Sequence, residues 1–304
     1  MAGVPTSLVL GAGGARGLTH IGVIRCLEAR GYDIRYISGS SMGALVGGIY
    51  AAGKLDTFTD WVIALQRLDV LRLLDWSLSG ALFKGERIIR VLRELIGDRQ
   101  IEGLPIGFTA VATELSTSRE MWLNRGSLFD AIHESIAAPM IFAAVPVDDL
   151  VLVDGGLVNP VPVAPTLNAH TEVTIAVDLN APDDRDAPLR IRASAEDARG
   201  ESSQRQSIRG FVDALLGTDA EPASNQLGFH DLATRSMDAM QRTITYLKLA
   251  SYAPTLVVKI PGNLCGFFDF YRAQALIDYG YERSEQALRS LDGTSRLDNR
   301  RLDG

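Results

Sequence analysis

Cysteine is scarce. Cys26 and Cys265 are the only two in 304 residues, which excludes a disulfide framework and suits a reducing compartment. No apolar run approaches the roughly 18 residues of a membrane span. The N-terminus also lacks a basic region ahead of an apolar run. Val9-Leu10 leads straight into glycines, the pattern of a buried strand rather than a signal peptide. The expected location is therefore cytoplasmic, with any membrane contact peripheral, at the inner membrane surface. Positive charge is in deficit as well. A net charge of -7 argues against a broad nucleic-acid surface, and no reading helix stands out, so no nucleic-acid partner is expected. Oligomeric state cannot be read from these features.

What is present is an ordinary globular composition, 46% apolar and 22% charged, long enough to bury a substantial core. Ser7 to Leu10 reads as a buried strand. Leu18 to Ala29 reads as a helix with Leu18, Ile21, Ile24 and Leu27 at intervals of three, ended by Gly31. Tyr32 to Ser38 is a second strand and Met42 to Ala52 a second helix. This βαβα opening predicts parallel strands and a right-handed crossover. Helices are expected at Asp56 to Leu65, Glu86 to Ile96, Ser127 to Ala137 and Asp231 to Ala250, with two closing helices at Phe270 to Tyr279 and Glu282 to Leu291. Further strands are expected at Ile106 to Ala112, Leu150 to Val153, Glu172 to Asp178 and Thr255 to Ile260. Pro139 to Pro146 reads as a loop, and Pro160, Pro162 and Pro165 as a rigid extended segment.

Strands recur on both sides of a polar insertion at about 181–227, so residues 1–304 read as one domain with a polar tail at about 296–304. Within the insertion Ile208, Phe211, Val212, Leu215 and Leu216 fall at i, i+3, i+4, i+7, i+8, one short amphipathic helix. It either packs back on the body or serves as a mobile lid or lipid-facing helix.

The chemistry concentrates at the turns. Gly39, Ser41 and Gly43 fit G-x-S-x-G, in which small flanking residues let a serine sit on a strained strand-to-helix turn with its hydroxyl exposed. Hydrolysing an ester also needs a base and oxyanion donors. Of the histidines, His170 lies in a polar turn and His230 near a helix start, and neither has a catalytic context. Asp154 ends a short apolar strand, with Gly155 and Gly156 allowing close backbone approach; the residues alone leave it open between a base and an ordinary Asp-Gly turn. Gly11-Ala12-Gly13-Gly14-Ala15-Arg16-Gly17 follows the first strand. It fails the dinucleotide fingerprint at Arg16 and lacks the G-K-[ST] of a phosphate loop. What remains is a run of small residues whose amides can hold one small anion, with Arg16 either an electrostatic anchor or a surface arginine.

These three pieces, in this order, resemble the patatin-like phospholipases, in their bacterial single-domain branch. Softer similarity covers Ser135 to Val147, Asn159 to Val163 and Met237 to Pro261. The resemblance implies a three-layer α/β/α sandwich with a mostly parallel central sheet, and a Ser41–Asp154 dyad in place of a triad. Ser41 would be the nucleophile and Asp154 the base. The amides around Gly13, Gly14 and Ala15 would form the oxyanion hole with Arg16 supporting the loop, and Gly11, Gly17, Gly39, Gly43, Gly155 and Gly156 would shape the motifs. His20 is taken as structural. No cofactor and no metal are implied. The implied substrate is an acyl lipid such as a phospholipid, cleaved through an acyl-enzyme, with an apolar groove lined from Leu71 to Leu82 and from the Pro139 loop. The motifs specify acyl transfer rather than the acyl group, so thioesterase, transacylase and small-ester hydrolase stay open, as does a regulatory membrane-surface protein with little turnover.

Overall fold

Successive residues of a strand point to opposite faces of its sheet, and β1 (Val4–Leu10) uses both faces: Leu8 and Leu10 enter one core, Val9 another. The computed structural model describes residues 3–73, 83, 85–139, 141–184 and 229–302. Around β1, a single eight-stranded sheet is built from β2 (Tyr32–Ser40), β3 (Gly107–Glu114), β4 (Arg119–Leu123), β5 (Val145–Val147), β6 (Leu150–Asp154), β7 (Val173–Ala181) and β8 (Leu256–Pro261), in the order β5-β6-β3-β2-β1-β7-β8 with β4 beside β3. The five strands β3, β2, β1, β7 and β8 are mutually parallel, and β4, β5 and β6 run antiparallel to their partners.

Helices cover both faces, giving an α/β/α sandwich. The larger core gathers residues of α1 (Thr19–Ala29), α2 (Met42–Ala51), α3 (Leu55–Ala64), α5 (Glu86–Ile96), α6 (Leu128–Ile136) and α8 (Ala273–Leu302). Phe58 and Phe129 are fully buried there, each worth about 1.5–3 kcal/mol of transfer free energy. The smaller core, Val9, Val161, Val163 and Ala176, is closed by Leu249 and Tyr252 of α7 (Phe229–Tyr252). Helix α1 lies against α8 through two glycines. A Cβ on Gly22 would sit 1.9 Å from the Ile277 carbonyl oxygen, and one on Gly280 2.1 Å from that of Thr19. Gly280 therefore serves contact rather than termination, and the two closing helices expected from sequence are one continuous helix.

Three further expectations are corrected. Strand β4 was unexpected: it pairs with one edge of β3 and leaves Trp122 exposed. The end of the Pro139–Pro146 loop is taken into β5, and the proline series after Asn159 closes in a 3-10 turn, Ala164–Thr166. The amphipathic segment from Ile208 to Leu216 lies outside the described residues.

One feature of the sheet positions the site. On the edge opposite β4, β3 pairs first with β2, in parallel as far as Ser40↔Val111, and then with β6, antiparallel from Ala112↔Asp154. Strands β2 and β6 share that edge from opposite directions and end against each other. The residue after β2 is Ser41; the last residue of β6 is Asp154.

Candidate active site

Ser41 holds φ 54°, ψ -124°, well outside the regions favoured by non-glycine residues and worth about 1–3 kcal/mol of strain. The surroundings fix it there. Its N–H donates to Ser135 Oγ at 3.0 Å, Ser135 donates on to the Val111 carbonyl at 2.6 Å, and the neighbouring Ser40 hydroxyl donates to the Asn159 carbonyl at 2.8 Å. The flanking glycines are required by approach. A Cβ on Gly39 would lie 2.4 Å from the Gly43 backbone, and one on Gly43 2.0 Å from the Leu10 carbonyl oxygen. Helix α2 starts at the next residue, so its positive end faces the hydroxyl.

The Ser41 hydroxyl stands near enough to the Asp154 carboxyl to favour its charged form. Both residues are buried, at 6% and 5% exposure. Asp154 Oδ1 accepts from Gly156 N–H at 2.6 Å, its own N–H donates to Ala137, and its carbonyl accepts from Thr113 Oγ1 at 2.9 Å. Burial raises its pKa from 3.8 to about 6, against the lowering by the nearby Ser41 hydroxyl and the Gly156 hydrogen bond. Gly155 passes so near β3 that a Cβ would stand 2.0 Å from the Val111 carbonyl oxygen.

The glycine-rich loop crosses beside this pair. Gly11 N–H donates to Val177 and Ala12 N–H to Pro160. Ala15 N–H donates to the Phe267 carbonyl at 2.9 Å, so it is not free to hold an oxyanion, contrary to the expectation from sequence. The Gly13 and Gly14 amides have no acceptor among the described residues, and Gly14 lines the same cavity as Ser41. Arg16, 8% exposed, turns into the protein. It donates to the Gly262 carbonyl at 2.7 Å and to Asn180 Oδ1 at 3.0 Å, while Asn180 Nδ2 returns to the Ala12 carbonyl at 3.2 Å. That bracket ties the loop to the ends of β7 and β8; burial lowers the Arg16 pKa from its ordinary value. A Cβ on Gly17 would stand 2.3 Å from Met42 Cβ, which seats the loop on α2.

His20 is fully buried, with Nε2 2.9 Å from the Gly11 carbonyl. Burial lowers its pKa to about 4, so the ring is neutral and Nε2 carries the donated proton. No histidine is among the residues lining the cavity at Ser41, and the His230 side chain lies outside the described ones. Among the described residues no cluster of His, Cys, Asp or Glu side chains could hold a metal ion.

From Ser41 an apolar cavity opens between α3, α4 (Arg67–Leu73), α5 and the segment after β8. Leu73 and Phe142 line it, as expected, while the rest of the expected wall, Leu74 to Leu82, lies outside the described residues. Phe267, Phe268 and Phe270 complete it; their clustering in sequence after β8 was the available signal for a wall there.

A family model described as patatin-like phospholipase matches residues 8–167. An uncharacterised NTE family protein of Mycobacterium tuberculosis is 35% identical over 330 residues, covering 94% of this chain and 92% of that one. Human patatin-like phospholipase domain-containing protein 6 is 28% identical over 294 residues, 93% of this chain but 20% of that protein. Among solved structures, VipD from Legionella pneumophila superposes with a TM-score of 0.56 at 14% identity, over 95% of this chain and 67% of that one, a likeness of fold alone.

Proposed function

The chain belongs to the patatin-like phospholipase family and is an esterase of that family, and on this premise we propose that it cleaves acyl esters of lipids with Ser41 as nucleophile and Asp154 as its base. The observation that carries the reading is the meeting of these two buried residues where β2 and β6 end against each other, with Ser41 lining an apolar cavity. Asp154 takes the Ser41 proton as Oγ attacks the ester carbonyl, forming a tetrahedral oxyanion. Collapse breaks the ester bond. The alcohol, a lysophospholipid or its equivalent, leaves with the proton from Asp154 and an acyl-Ser41 remains. Water then gives a proton to Asp154, attacks the acyl carbon and releases the fatty acid, Ser41 recovering its hydrogen.

The Gly13 and Gly14 amides and the amino end of α2 are the donors in this scheme; Ala15 and Arg16 hold the loop. The cavity receives the acyl chain, because its walls are aliphatic and aromatic, and the polar head group stays outside. A carboxylate whose pKa is about 6 is a stronger base than a solvated aspartate, which suits proton abstraction near neutral pH. The two free cysteines fit the cytoplasm as the working location, with peripheral contact at the inner membrane surface as the route to lipid.

The test is hydrolysis of medium-chain p-nitrophenyl esters by the parent, Ser41→Ala and Asp154→Asn proteins, followed by mass spectrometry of phospholipid, lysophospholipid, monoacylglycerol and acyl-CoA turnover. Full activity in Ser41→Ala would overturn the nucleophile assignment. Exclusive acyl-CoA cleavage would move the substrate from lipid ester to thioester.

A further inference from the structure

Phe267 touches two things at once. Its carbonyl accepts the Ala15 N–H at 2.9 Å, and its ring lies against Gly14, where a Cβ would come within 2.6 Å of the ring carbon Cδ2. Gly14 itself sits at φ 55°, a backbone conformation that glycine tolerates and that neighbours must hold. The same ring is part of the cavity wall, next to Phe268 and Phe270.

The segment carrying it is braced at both ends. Gly266 N–H donates to Asp269 Oδ2 at 3.0 Å and Arg272 N–H to the Asp269 carbonyl at 3.0 Å. Further along, Tyr271 takes a hydrogen bond from Arg67 Nη2 at 2.9 Å, with that guanidinium 4.4 Å from the ring centroid, a contact worth about 0.5–2 kcal/mol. Phe267 and Phe268 pack edge to face at 5.1 Å. This is a built strap running from the glycine loop to α4 across one wall of the cavity.

We propose that Phe267 is a positioning residue for the reaction, holding the Gly13–Gly14 amides in place through its ring and carbonyl so that the acyl-chain wall and the oxyanion donors form one unit. The inference rests on the acyl-hydrolase reading above. A wall that only bound acyl chains would change the KM of long-chain substrates and leave short ones alone. A wall that also fixes the donors acts on the transition state of every substrate, including esters too short to reach it. Misplacement on the scale of an ångström near the reacting atoms costs up to about a hundredfold. Removing the ring leaves the carbonyl bond to Ala15 in place, so partial loosening predicts a loss of about tenfold.

The experiment compares Phe267→Ala and Phe267→Leu with the parent on p-nitrophenyl acetate and p-nitrophenyl decanoate, with melting temperatures and Ser41→Ala as controls. The expected result is a kcat on the acetate about tenfold lower in Phe267→Ala with KM within about twofold, and a smaller loss in Phe267→Leu, whose side chain still covers Gly14. Second-order labelling of Ser41 by a fluorophosphonate should fall in parallel. Should the alanine protein fail to fold, the leucine protein decides: an acetate kcat below the parent's supports the role. Unchanged acetate kcat and labelling, with the change confined to decanoate KM, would overturn it. Retained activity in Ser41→Ala would instead strike the hydrolase reading, so the two failures are distinguishable.

Discussion

Asp154→Asn should make the protein more stable while it removes activity. The carboxyl is buried, and its pKa rises from 3.8 to about 6 because burial penalises the charged form more than the nearby Ser41 hydroxyl and the Gly156 N–H favour it. A folded-state pKa above the unfolded one means the folded protein binds the proton more tightly. The stabilisation from the neutral form is complete below pH 3.8 and is lost as pH rises through about 6. At about 1.4 kcal/mol per pH unit, the gap between 3.8 and about 6 is a cost of about 3 kcal/mol above pH 7. Asparagine keeps an oxygen for the Gly156 N–H and carries no charge, so it behaves as the protonated residue at every pH. With an unfolding entropy near 2.1 cal/mol/K per residue, the variant should melt about 4–5 °C above the parent at pH 7.5. By linkage the gap should shrink to about a third of its free-energy value at pH 4.5. Calorimetry of the two proteins across that range measures the difference directly, and groups common to both cancel. A gap that stays flat with pH, or a variant less stable than the parent at pH 7.5, would refute the claim that a strained buried charge stands at this position.

Ser41→Ala should lower turnover of a medium-chain ester at least about a thousandfold with the fold intact by circular dichroism; activity within a factor of ten of the parent would contradict the assignment. Gly43→Ala puts a Cβ 2.0 Å from the Leu10 carbonyl oxygen, so it should destabilise by several kcal/mol or fail to yield soluble protein, as overpacking against backbone does. Normal melting would show that the elbow is looser than described. Arg16→Lys cannot reproduce both the Gly262 and Asn180 bonds with a single ammonium. Its kcat should fall about tenfold with KM within twofold; a loss confined to KM would place Arg16 on the substrate instead.

The sequence carried the parallel half of the fold plainly. Strand β1 ends in the apolar run Leu8-Val9-Leu10 and β2 carries Ile34, Tyr36 and Ile37 ahead of Gly39, and local signals of that kind do not depend on distant partners. Strand β4 was missed because Arg119 to Leu123 is an edge strand with Trp122 exposed, so neither burial nor clean alternation marks it. The closing helix was expected as two, with Gly280 in the gap between them; the reason this position is glycine, the Thr19 carbonyl of another helix, is visible only in three dimensions. The same division holds at the site. Gly39, Ser41 and Gly43 announce themselves locally, whereas Asp154 stood out only through the resemblance of its Asp-Gly-Gly turn. Their meeting depends on β2 and β6 ending head to head along β3, which no local pattern encodes. The Ala15 amide looked available because its acceptor, Phe267, comes from the far end of the chain. Ser135, which holds the Ser41 N–H, lay in sequence on an expected helix and at the start of a stretch of softer similarity, with nothing to mark its role.

The most direct test of the account is the rate of fluorophosphonate labelling as a function of pH, with the adduct mapped by peptide mass spectrometry, in the parent and in Asp154→Asn. The dyad predicts a single adduct on Ser41, a rate that climbs as Asp154 loses its proton near pH 6 and levels above it, and a low, pH-independent rate in the variant. Labelling at another residue, or a parent rate indifferent to pH between 5 and 7, would contradict it.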